Sequence, residues 1–468
     1  MIVRGYALPR GLQPPGLTTL AFGDVHVEVP VLTPAFLSAL LDRLRSNRER
    51  YLMTRPVAEI LDVIDRTVAR WQDPADPVRR VAEAALPAVT GFSARMIAHG
   101  LAVMLAPYRK EALRAVLERE GGDLRVLDEF RPLSGRLSRA YGPAVTAHIF
   151  SGNIPALPAH SLIYAFLVKS ASLGKSASTE PVFPALFAQT LAETDPDIAD
   201  CLAVVWWKGG DQALERIVCE RADAVVASGD DGSLAALRAV TPATTPFIGY
   251  GHKVSLALIG RDAREALNEL ARRLAEDVAL FDQQGCLSPH VVYVEDGGRA
   301  TAGEFASRLA DALKAFEAEW PSGRRGAGTV STIRQVRGAA EFEVLAGREN
   351  RVFHGHAWTV LYETDPAFLP SPLGRTVRVK PIKDIMDLTE QLRPWRAVLQ
   401  AVGVAVGPKR LRPVGEALSA LGVIRICPIG RMQSPPLGWP GEAGLRLLDL
   451  LRWTDLEGPL DPSGRGSG

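Results

Sequence analysis

The chain is poor in the features that would place it in a specialised class of protein. It has four cysteines in 468 residues, and no two form a C-x-x-C pair, which argues against zinc sites and a disulfide framework. Its net charge is +1, so bulk attraction to nucleic acid or a membrane surface is not expected. No window offers the ~18 uninterrupted apolar residues of a membrane span, and the N-terminus lacks the apolar core of a signal peptide. The sequence therefore predicts a cytoplasmic, reduced and soluble protein.

The glycine fingerprint G-x-G-x-x-G of dinucleotide-binding folds is also missing. Glycine nevertheless recurs at the ends of predicted strands, at 151–153 (SGN), 209–210 (GG) and 228–230 (SGD). A glycine at a strand end permits a tight turn and a close approach to phosphate. These turns are therefore candidate contacts for a nucleotide, although the usual fingerprint is absent.

The pattern of apolar residues divides the chain into two kinds of sequence. Residues 33–120 show helical periodicity without a cluster that suggests chemistry, and the alternating residues 25–29 before them predict an edge strand. From about residue 140, short apolar runs alternate with helical segments. Such alternation is typical of a parallel sheet wound with helices, which binds ligands at the carboxyl ends of its strands.

Cys286 lies between a polar loop and a strand-like run, within LFDQQGCLSPHVVYVED at 280–296. A thiol in this position is a packed core residue, a metal ligand or a nucleophile, and most cysteines are the first of these. We interpret Cys201, Cys219 and Cys427 as packing residues. The histidines show no reliable spacing with carboxylates that would form a metal site, so no metal is predicted.

The segment around Cys286 resembles the catalytic-cysteine segment of the aldehyde dehydrogenase superfamily, and its DQQGC-x-SP form is similar to the LuxC family of acyl-CoA reductases. A second segment, IFSGNIPALPAHSLIYAFLVKSASLGKSASTEP at 149–181, is similar to the superfamily's passage from an N-x-P turn to a K-P-x-E turn. The matches extend over most of residues 140–435, while the N-terminal helices match only loosely. The resemblance implies an α/β, aldehyde dehydrogenase-like fold. Its expected parts are a mostly helical N-terminal region (1–135), a Rossmann-type dinucleotide-binding domain (136–262), an α/β catalytic domain (263–430) and a C-terminal segment that packs back or oligomerises (431–468).

The resemblance implies two catalytic residues. Cys286 would be the nucleophile, since a thiolate attacks carbonyl groups well and forms a thioester. The side-chain amide of Asn153, together with the backbone N–H of Cys286, would form an oxyanion hole. The alternative for Asn153 is an ordinary Gly-Asn turn, in which asparagine needs no further reason.

The resemblance also implies a cofactor site. The motif KSAS occurs at both Lys169 and Lys175, and Lys175 is the one whose distance from Asn153 agrees with the superfamily's interval. Ser178 then stands where NAD-preferring relatives carry a glutamate that would repel a 2′-phosphate, so NADPH is predicted rather than NADH. The remaining cofactor contacts implied are Ser151, Gly152, Ser228 and Gly229, the last two in a turn whose helix approaches the pyrophosphate.

One departure from the superfamily bears on the reaction. Hydrolytic members carry a glutamate in an E-L-G-G-K run, whereas residues 247–253 here read FIGYGHK, with Gly249 in the glutamate position. Without that base, water should attack an acyl-enzyme slowly, and the thioester would persist for hydride attack or thiol exchange. A second departure is the absence of an E-x-F-G-P run, so no residue is assigned to the nicotinamide ribose.

The function expected from this resemblance is NADPH-dependent reduction of an acyl thioester to an aldehyde through a thioester on Cys286. The acyl donor would be acyl-CoA, an acyl-carrier or an acyl-activating protein, and the enzyme is expected to be a homo-oligomer. Three alternatives stay open: a CoA-acylating aldehyde dehydrogenase that runs oxidatively, a non-catalytic scaffold subunit for an acyl-activating partner, and a cofactor-free cysteine acyltransferase.

Overall fold

The computed structural model describes residues 1–133, 135–439 and 447–457. The chain forms two compact units. The first contains Met1–Thr90, Ile97–Gly251 and the described residues from Pro436 on, and the second contains Gly91–Met96 and His252–Pro435. The division of the chain into four parts stays a prediction.

The described elements are numbered here along the chain. The strands are β1 (Ile2–Arg4), β2 (Gly16–Phe22), β3 (Val25–Val31), β4 (Arg131–Leu133), β5 (Arg136–Tyr141), β6 (Val145–Ile149), β7 (Ala171–Lys175), β8 (Leu202–Val205), β9 (Ala224–Ser228), β10 (Phe247–Tyr250), β11 (Val254–Ile259), β12 (Pro289–Glu295), β13 (Arg351–His354), β14 (Thr359–Tyr362), β15 (Thr376–Ile382), β16 (Leu399–Ala405), β17 (Arg425–Pro428) and β18 (Arg452–Leu456). The helices are α1 (Pro34–Asn47), α2 (Val57–Gln72), α3 (Pro77–Thr90), α4 (Ala94–Leu105), α5 (Lys110–Gly121), α6 (Leu157–Leu167), α7 (Phe183–Thr194), α8 (Pro196–Ala199), α9 (Gln212–Arg221), α10 (Asp231–Val240), α11 (Leu267–Ala279), α12 (Ala302–Glu319), α13 (Ala327–Leu345), α14 (Leu388–Leu392), α15 (Pro408–Ala420) and α16 (Leu447–Leu450).

The first unit is built on a five-stranded parallel sheet with the order β10-β9-β6-β7-β8. The chain enters this sheet in the middle at β6, continues outward through β7 and β8, and returns to the other side of β6 with β9 and β10. The direction of winding therefore reverses between β6 and β9. In a doubly wound sheet this reversal opens a crevice at the carboxyl ends of the two strands, where ligands bind.

Two smaller three-stranded sheets complete the first unit, with the orders β1-β3-β2 and β18-β5-β4. The prediction of an edge strand at residues 25–29 was wrong, because β3 pairs with β1 on one side and β2 on the other. Buried Val25, Val27 and Val29 alternate with more exposed residues because only one face of this sheet is covered. A central strand shows the same alternation when its sheet is solvated on the other face.

The second unit is built on a seven-stranded sheet with the order β13-β14-β15-β12-β11-β16-β17. All its neighbouring strands run parallel except β13, which runs antiparallel to β14 at one edge. One face packs against α11 and α12 through a core that includes Leu274, Val278, Phe305 and Leu309. The opposite face packs against a second core that includes α14 and α15. Burial on both faces explains why β11 and β12 read as continuous apolar runs.

Helix starts follow the local rules of capping. Thr33 caps α1, since its side-chain oxygen accepts a hydrogen bond from Phe36 N, and Pro34 occupies the first turn.

Among the described residues, no single helix has the length and apolar composition to cross a membrane. Only α3 and α4 taken together across a sharp bend pass that test, on length and composition alone.

Candidate active site

The two glycine-containing turns of the first unit lie at the reversal of its sheet. Residues 151–153 follow β6, and Ser228 and Gly229 end or follow β9. Because Ile149 at the end of β6 pairs with Ala227 of β9, both turns leave the sheet at the same edge. Ile149 also pairs with Lys175 of β7 on its other side. The structure thus brings the predicted cofactor residues of three strands to one edge, where a doubly wound sheet binds its ligand.

Gly152 is required by the close packing of two turns. A Cβ atom at this position would lie 2.3 Å from Thr179 Oγ1 and 3.1 Å from Ala177 Cβ. The turn after β7 therefore sits directly on the backbone of the turn after β6. Any larger residue would push the two turns apart and change the shape of this edge of the sheet.

The turn after β9 leads into α10, whose N-cap residue is Asp230. The Asp230 side chain accepts hydrogen bonds from Ser233 N at 2.9 Å and from Ser233 Oγ at 2.8 Å, and these bonds lower the pKa of Asp230. The backbone N–H of Gly229 donates to Tyr250 O on the neighbouring strand. A helix N-terminus at the carboxyl edge of such a sheet attracts phosphate, because its N–H groups and dipole present positive charge.

Lys175 ends β7 with its side chain largely buried. Burial lowers the pKa of its ammonium group, while the charge of Glu215 opposes that shift. The ammonium group lies 5.8 Å from the ring centre of Trp207. A buried cation is costly unless an anion compensates it, so this site is suited to a phosphate.

Further polar atoms at this edge are suited to a nucleotide. In the described part of the chain, the buried hydroxyl of Ser176 and the buried indole N–H of Trp207 have no hydrogen-bond partner. Buried polar groups are normally satisfied. A polar ligand at the carboxyl edge of β7 and β8 would supply the missing partners. The residues present therefore fit a phosphorylated cofactor.

Cys286 differs from the other thiols of the chain in exposure. Cys201, Cys219 and Cys427 are buried, as predicted for packing residues, whereas Cys286 is partly exposed. Burial raises the pKa of the Cys219 thiol and raises that of Cys427 to about 11. Thiols with a raised pKa hold few thiolates at neutral pH, so Cys286 is the best placed of the four to react.

A strained turn delivers the chain from α11 to Cys286. Three successive residues, Phe281, Asp282 and Gln283, have φ values of 52°, 50° and 63°. The left-handed region costs a non-glycine residue on the order of 1 kcal/mol or more, so surrounding contacts must hold the turn in place. Asp282 provides one such contact, because its buried carboxylate accepts bonds from Arg375 Nε at 2.8 Å and Gly323 N at 3.0 Å.

Gln283 provides the second anchor of the strained turn. Its side-chain NH₂ donates to Pro289 O and Thr376 O, and its side-chain oxygen accepts from Thr376 N at 2.7 Å. Ser255 of β11 donates a 2.7 Å hydrogen bond to the backbone oxygen of Cys286. Asp282 and Gln283 belong to the stretch predicted as a polar loop, but both side chains are buried. The local sequence does not indicate these roles, because two of the main partners, Arg375 and Thr376, each lie 93 positions further along the chain.

His290 lies in β12 and is a satisfied core residue. Its Nδ1 atom accepts a hydrogen bond from Ser371 N at 3.2 Å. Burial, together with the charge of His252, lowers the pKa of His290 to about 4. The ring is therefore neutral at physiological pH, so it is not an imidazolium that could act as a cationic acid. The described residues also contain no group of three or more metal-ligating side chains.

The buried histidines predict a loss of stability in mild acid. Burial lowers the pKa of His148 to about 3 and that of His290 to about 4, whereas a histidine in an unfolded chain titrates near 6.5. Below pH 6.5 the unfolded chain binds more protons than the native one, so stability falls with pH. We expect a loss on the order of 2–3 kcal/mol per residue by pH 4.5.

Urea unfolding between pH 7.5 and 4.5 measures this effect. His148→Gln should flatten the dependence on pH, and the exposed His26→Gln should leave it unchanged. An equal pH dependence in the two variants would show that His148 does not carry the effect.

Asn153 belongs to the first unit and Cys286 to the second. Gly249 lies in β10 at the edge of the first sheet, with its position exposed.

Comparison of the sequence with known families and proteins gives one consistent result. The family model described as acyl-CoA reductase (LuxC) matches residues 52–453. A long-chain acyl-protein thioester reductase of Aliivibrio fischeri is 25% identical over 396 residues, which cover 81% of this chain and 79% of that protein. The Vibrio harveyi protein of the same description is 23% identical over 420 residues, with 88% and 85% covered.

Solved structures of similar shape are aldehyde dehydrogenases and related enzymes. An aldehyde dehydrogenase from Brucella melitensis biovar abortus 2308 superposes with a TM-score of 0.77 at 14% identity, covering 97% of both chains. An NADP-dependent enzyme of E. coli superposes with a TM-score of 0.78 at 15% identity, covering 97% of this chain and 98% of its own. At these identities the likeness establishes the fold, and the predicted α/β, aldehyde dehydrogenase-like fold is confirmed.

Proposed function

This chain belongs to the acyl-CoA reductase (LuxC) family, and from that premise we propose that it reduces an acyl thioester to an aldehyde with NADPH, through a thioester on Cys286. The family assignment confirms the resemblance found in the segments around Asn153 and Cys286. The observation that carries the proposal is the exposure of Cys286, the one partly exposed thiol of four, on a strained and multiply anchored turn. Such rigid placement is what a positioned nucleophile needs.

In the first step, the Cys286 thiolate attacks the carbonyl carbon of the acyl donor, and the donor's thiolate leaves. The hydrogen bond from Ser255 to the Cys286 backbone oxygen holds the backbone of the nucleophile in place. We assign to Asn153 and the Cys286 N–H the donation of hydrogen bonds to the developing oxyanion. A single donor of this kind lowers the barrier by about 3–4 kcal/mol.

In the second step, the acyl-Cys286 thioester becomes an aldehyde. NADPH, when bound, supplies the hydride for this reduction. The tetrahedral thiohemiacetal that results collapses, the C–S bond breaks, the aldehyde leaves and Cys286 is again a thiolate. Gly249 stands where hydrolytic relatives have a glutamate, so the chain supplies no base at that position to activate water against the thioester.

The donor of the acyl group is proposed to be acyl-CoA or an acyl group carried on a protein thiol. The relatives from Aliivibrio fischeri and Vibrio harveyi are described as acyl-protein thioester reductases, which favours a protein donor. Both donors undergo the same transfer of the acyl group to Cys286. An acyl group from either donor is released as the same aldehyde.

NADPH is proposed as the reductant because the turn after β7 favours a 2′-phosphate. Lys175 offers a buried positive charge there, and Ser178 Oγ accepts a hydrogen bond from Trp206 Nε1 at 3.2 Å. With its oxygen engaged, the Ser178 hydroxyl can donate its own hydrogen to a phosphate. The one carboxylate of this turn, Glu180, is buried and accepts hydrogen bonds from Val182 N and Phe183 N at the start of α7.

Ser178→Glu is expected to shift the preference from NADPH towards NADH. The introduced carboxylate would repel a 2′-phosphate and accept hydrogen bonds from a free ribose. We expect the ratio of kcat/KM for NADPH to that for NADH to fall by about 10–100-fold, since the effect amounts to roughly 1.4–2.8 kcal/mol. Ser178→Gln, which has a similar length but no charge, is the matched control. An equal shift in the glutamine variant would remove the electrostatic argument.

The reaction itself is tested by incubating the protein with short-, medium- and long-chain acyl-CoAs and NADPH, with detection of aldehyde by mass spectrometry. Formation of aldehyde with consumption of NADPH supports the proposal. If the protein oxidises an aldehyde to acyl-CoA but forms no aldehyde from acyl-CoA and NADPH, the oxidative direction is favoured instead. Acyl exchange without consumption of NADPH would favour a cofactor-free transferase.

A further inference from the structure

Residues 429–433, which follow β17 in the second unit, form a loop that buried polar side chains hold in place. The carboxylate of Asp277, on α11, accepts hydrogen bonds from Gly430 N at 2.5 Å and Met432 N at 3.0 Å. Arg425 donates to Met432 O at 2.6 Å, and the Met432 side chain is fully buried. Asp277 is 1% exposed, so these bonds form away from water, where they are strong and fix the loop.

Gln433, at the end of this loop, joins it to the segment that contains the proposed nucleophile. Its side-chain NH₂ donates to Asp277 O at 2.8 Å and to Ser288 Oγ at 2.9 Å, so both hydrogens of the amide are engaged. Ser288 is fully buried and stands two positions after Cys286. One side chain thus ties the end of α11 to the residues that follow Cys286.

Ser288 closes a tight turn around Cys286. Its backbone N–H donates to Gly285 O at 3.0 Å, which is the hydrogen bond of a β-turn over residues 285–288. The peptide bond between Gly285 and Cys286 is trans, and in a trans peptide the C=O and the N–H point in opposite directions. Because Ser288 holds Gly285 O on the inside of the turn, the Cys286 N–H is directed outward.

We propose that Gln433 is a positioning residue for the oxyanion that forms when Cys286 is acylated. By holding Ser288, Gln433 fixes the turn that sets the direction of the Cys286 N–H. A donor that stabilises a developing charge has to be aimed before the reaction begins, and a misplacement of about 1 Å costs about 10²-fold in rate. This role rests on the proposed function, since it concerns the oxyanion of that reaction.

The rate constant for acylation of Cys286 by acyl-CoA without NADPH tests this role, with the acyl chain length that the parent chain reduces fastest and detection by mass spectrometry. Gln433→Met keeps the length of the side chain but donates no hydrogen bond, and it should lower this rate constant by about 10–100-fold. Alkylation of Cys286 by iodoacetamide forms no oxyanion, so its rate should stay within about threefold of the parent. Arg431→Gln, at an exposed position of the same loop, should leave both rates unchanged.

Ser288→Ala breaks the same hydrogen bond from its other end and removes a single oxygen atom, so the test holds if Gln433→Met folds poorly. Acylation should slow as it does in Gln433→Met, and combining the two changes should slow it no further. Acylation at the parent rate in either variant, multiplied losses in the double variant, or an equal slowing of alkylation would overturn the role of Gln433 alone. A parent chain that forms no acyl adduct on Cys286 would overturn the proposed function as well.

Discussion

Replacing Cys286 with alanine is expected to lower aldehyde formation by about 10⁴-fold or more, the usual effect of removing a covalent nucleophile. The reason is that no other thiol is placed to accept the acyl group, since Cys201, Cys219 and Cys427 are all buried. NADPH binding should be retained, because the residues proposed to bind the cofactor lie in the first unit and Cys286 lies in the second. The measurement is the rate of aldehyde formation together with the fluorescence of bound NADPH.

Two further variants sharpen this expectation. Cys286→Ser keeps a hydroxyl nucleophile of similar size but lower reactivity and should leave only a trace of activity. Cys427→Ala alters a buried thiol in the same unit and should leave the rate of aldehyde formation within about threefold of the parent. Near-normal aldehyde formation by Cys286→Ala would remove the covalent step from the mechanism.

Replacing Arg375 with methionine is expected to destabilise the second unit by about 3–5 kcal/mol. The Arg375 side chain is 1% exposed and that of its partner Asp282 is 6% exposed. Removing the arginine leaves the Asp282 carboxylate buried without its countercharge. Asp282 is also one of three successive left-handed residues before Cys286, so the variant should slow acylation of Cys286 as well. Urea unfolding followed by fluorescence measures the stability.

The controls for this variant separate a buried ion pair from a surface one. Arg272→Met breaks an exposed ion pair with Glu269, and exposed pairs contribute about 0.2–1 kcal/mol. Adding Asp282→Asn to Arg375→Met removes the unpaired charge and should recover part of the lost stability. Equal losses for Arg375→Met and Arg272→Met would show that the Asp282 pair does not hold the turn.

Local structure in this chain could be predicted where the residues that determine it are neighbours in sequence. The first strand of the wound sheet and α10 were found close to their observed bounds, Val145–Ile149 and Asp231–Val240. Both signals come from adjacent residues: an apolar run of strand length for the strand, and a capping aspartate followed by helical periodicity for the helix. Lys175 was likewise placed at a strand end, but only the family resemblance indicated it.

Structure that depends on distant partners could not be predicted. Strand β7 (Ala171–Lys175) has one large apolar residue, Leu173, and its five residues are all buried in the centre of the sheet, where it pairs with β6 and β8. β18 pairs with β5, more than 300 positions away. The roles of Asp282 and Gln283 depend on Arg375 and Thr376. A polar residue in a loop and a polar residue that anchors a strained turn look the same until the fold supplies the partner.

Mass spectrometry of the intact protein measures whether the acyl group passes through a thioester on Cys286. The protein is mixed with an acyl-CoA in the absence of NADPH, quenched in acid and digested to locate the adduct. We expect one acyl group per chain, located on Cys286, which is discharged as an equal amount of aldehyde when NADPH is added. Aldehyde formation without any acyl adduct on Cys286, or an adduct that hydrolyses equally fast with and without NADPH, would contradict it.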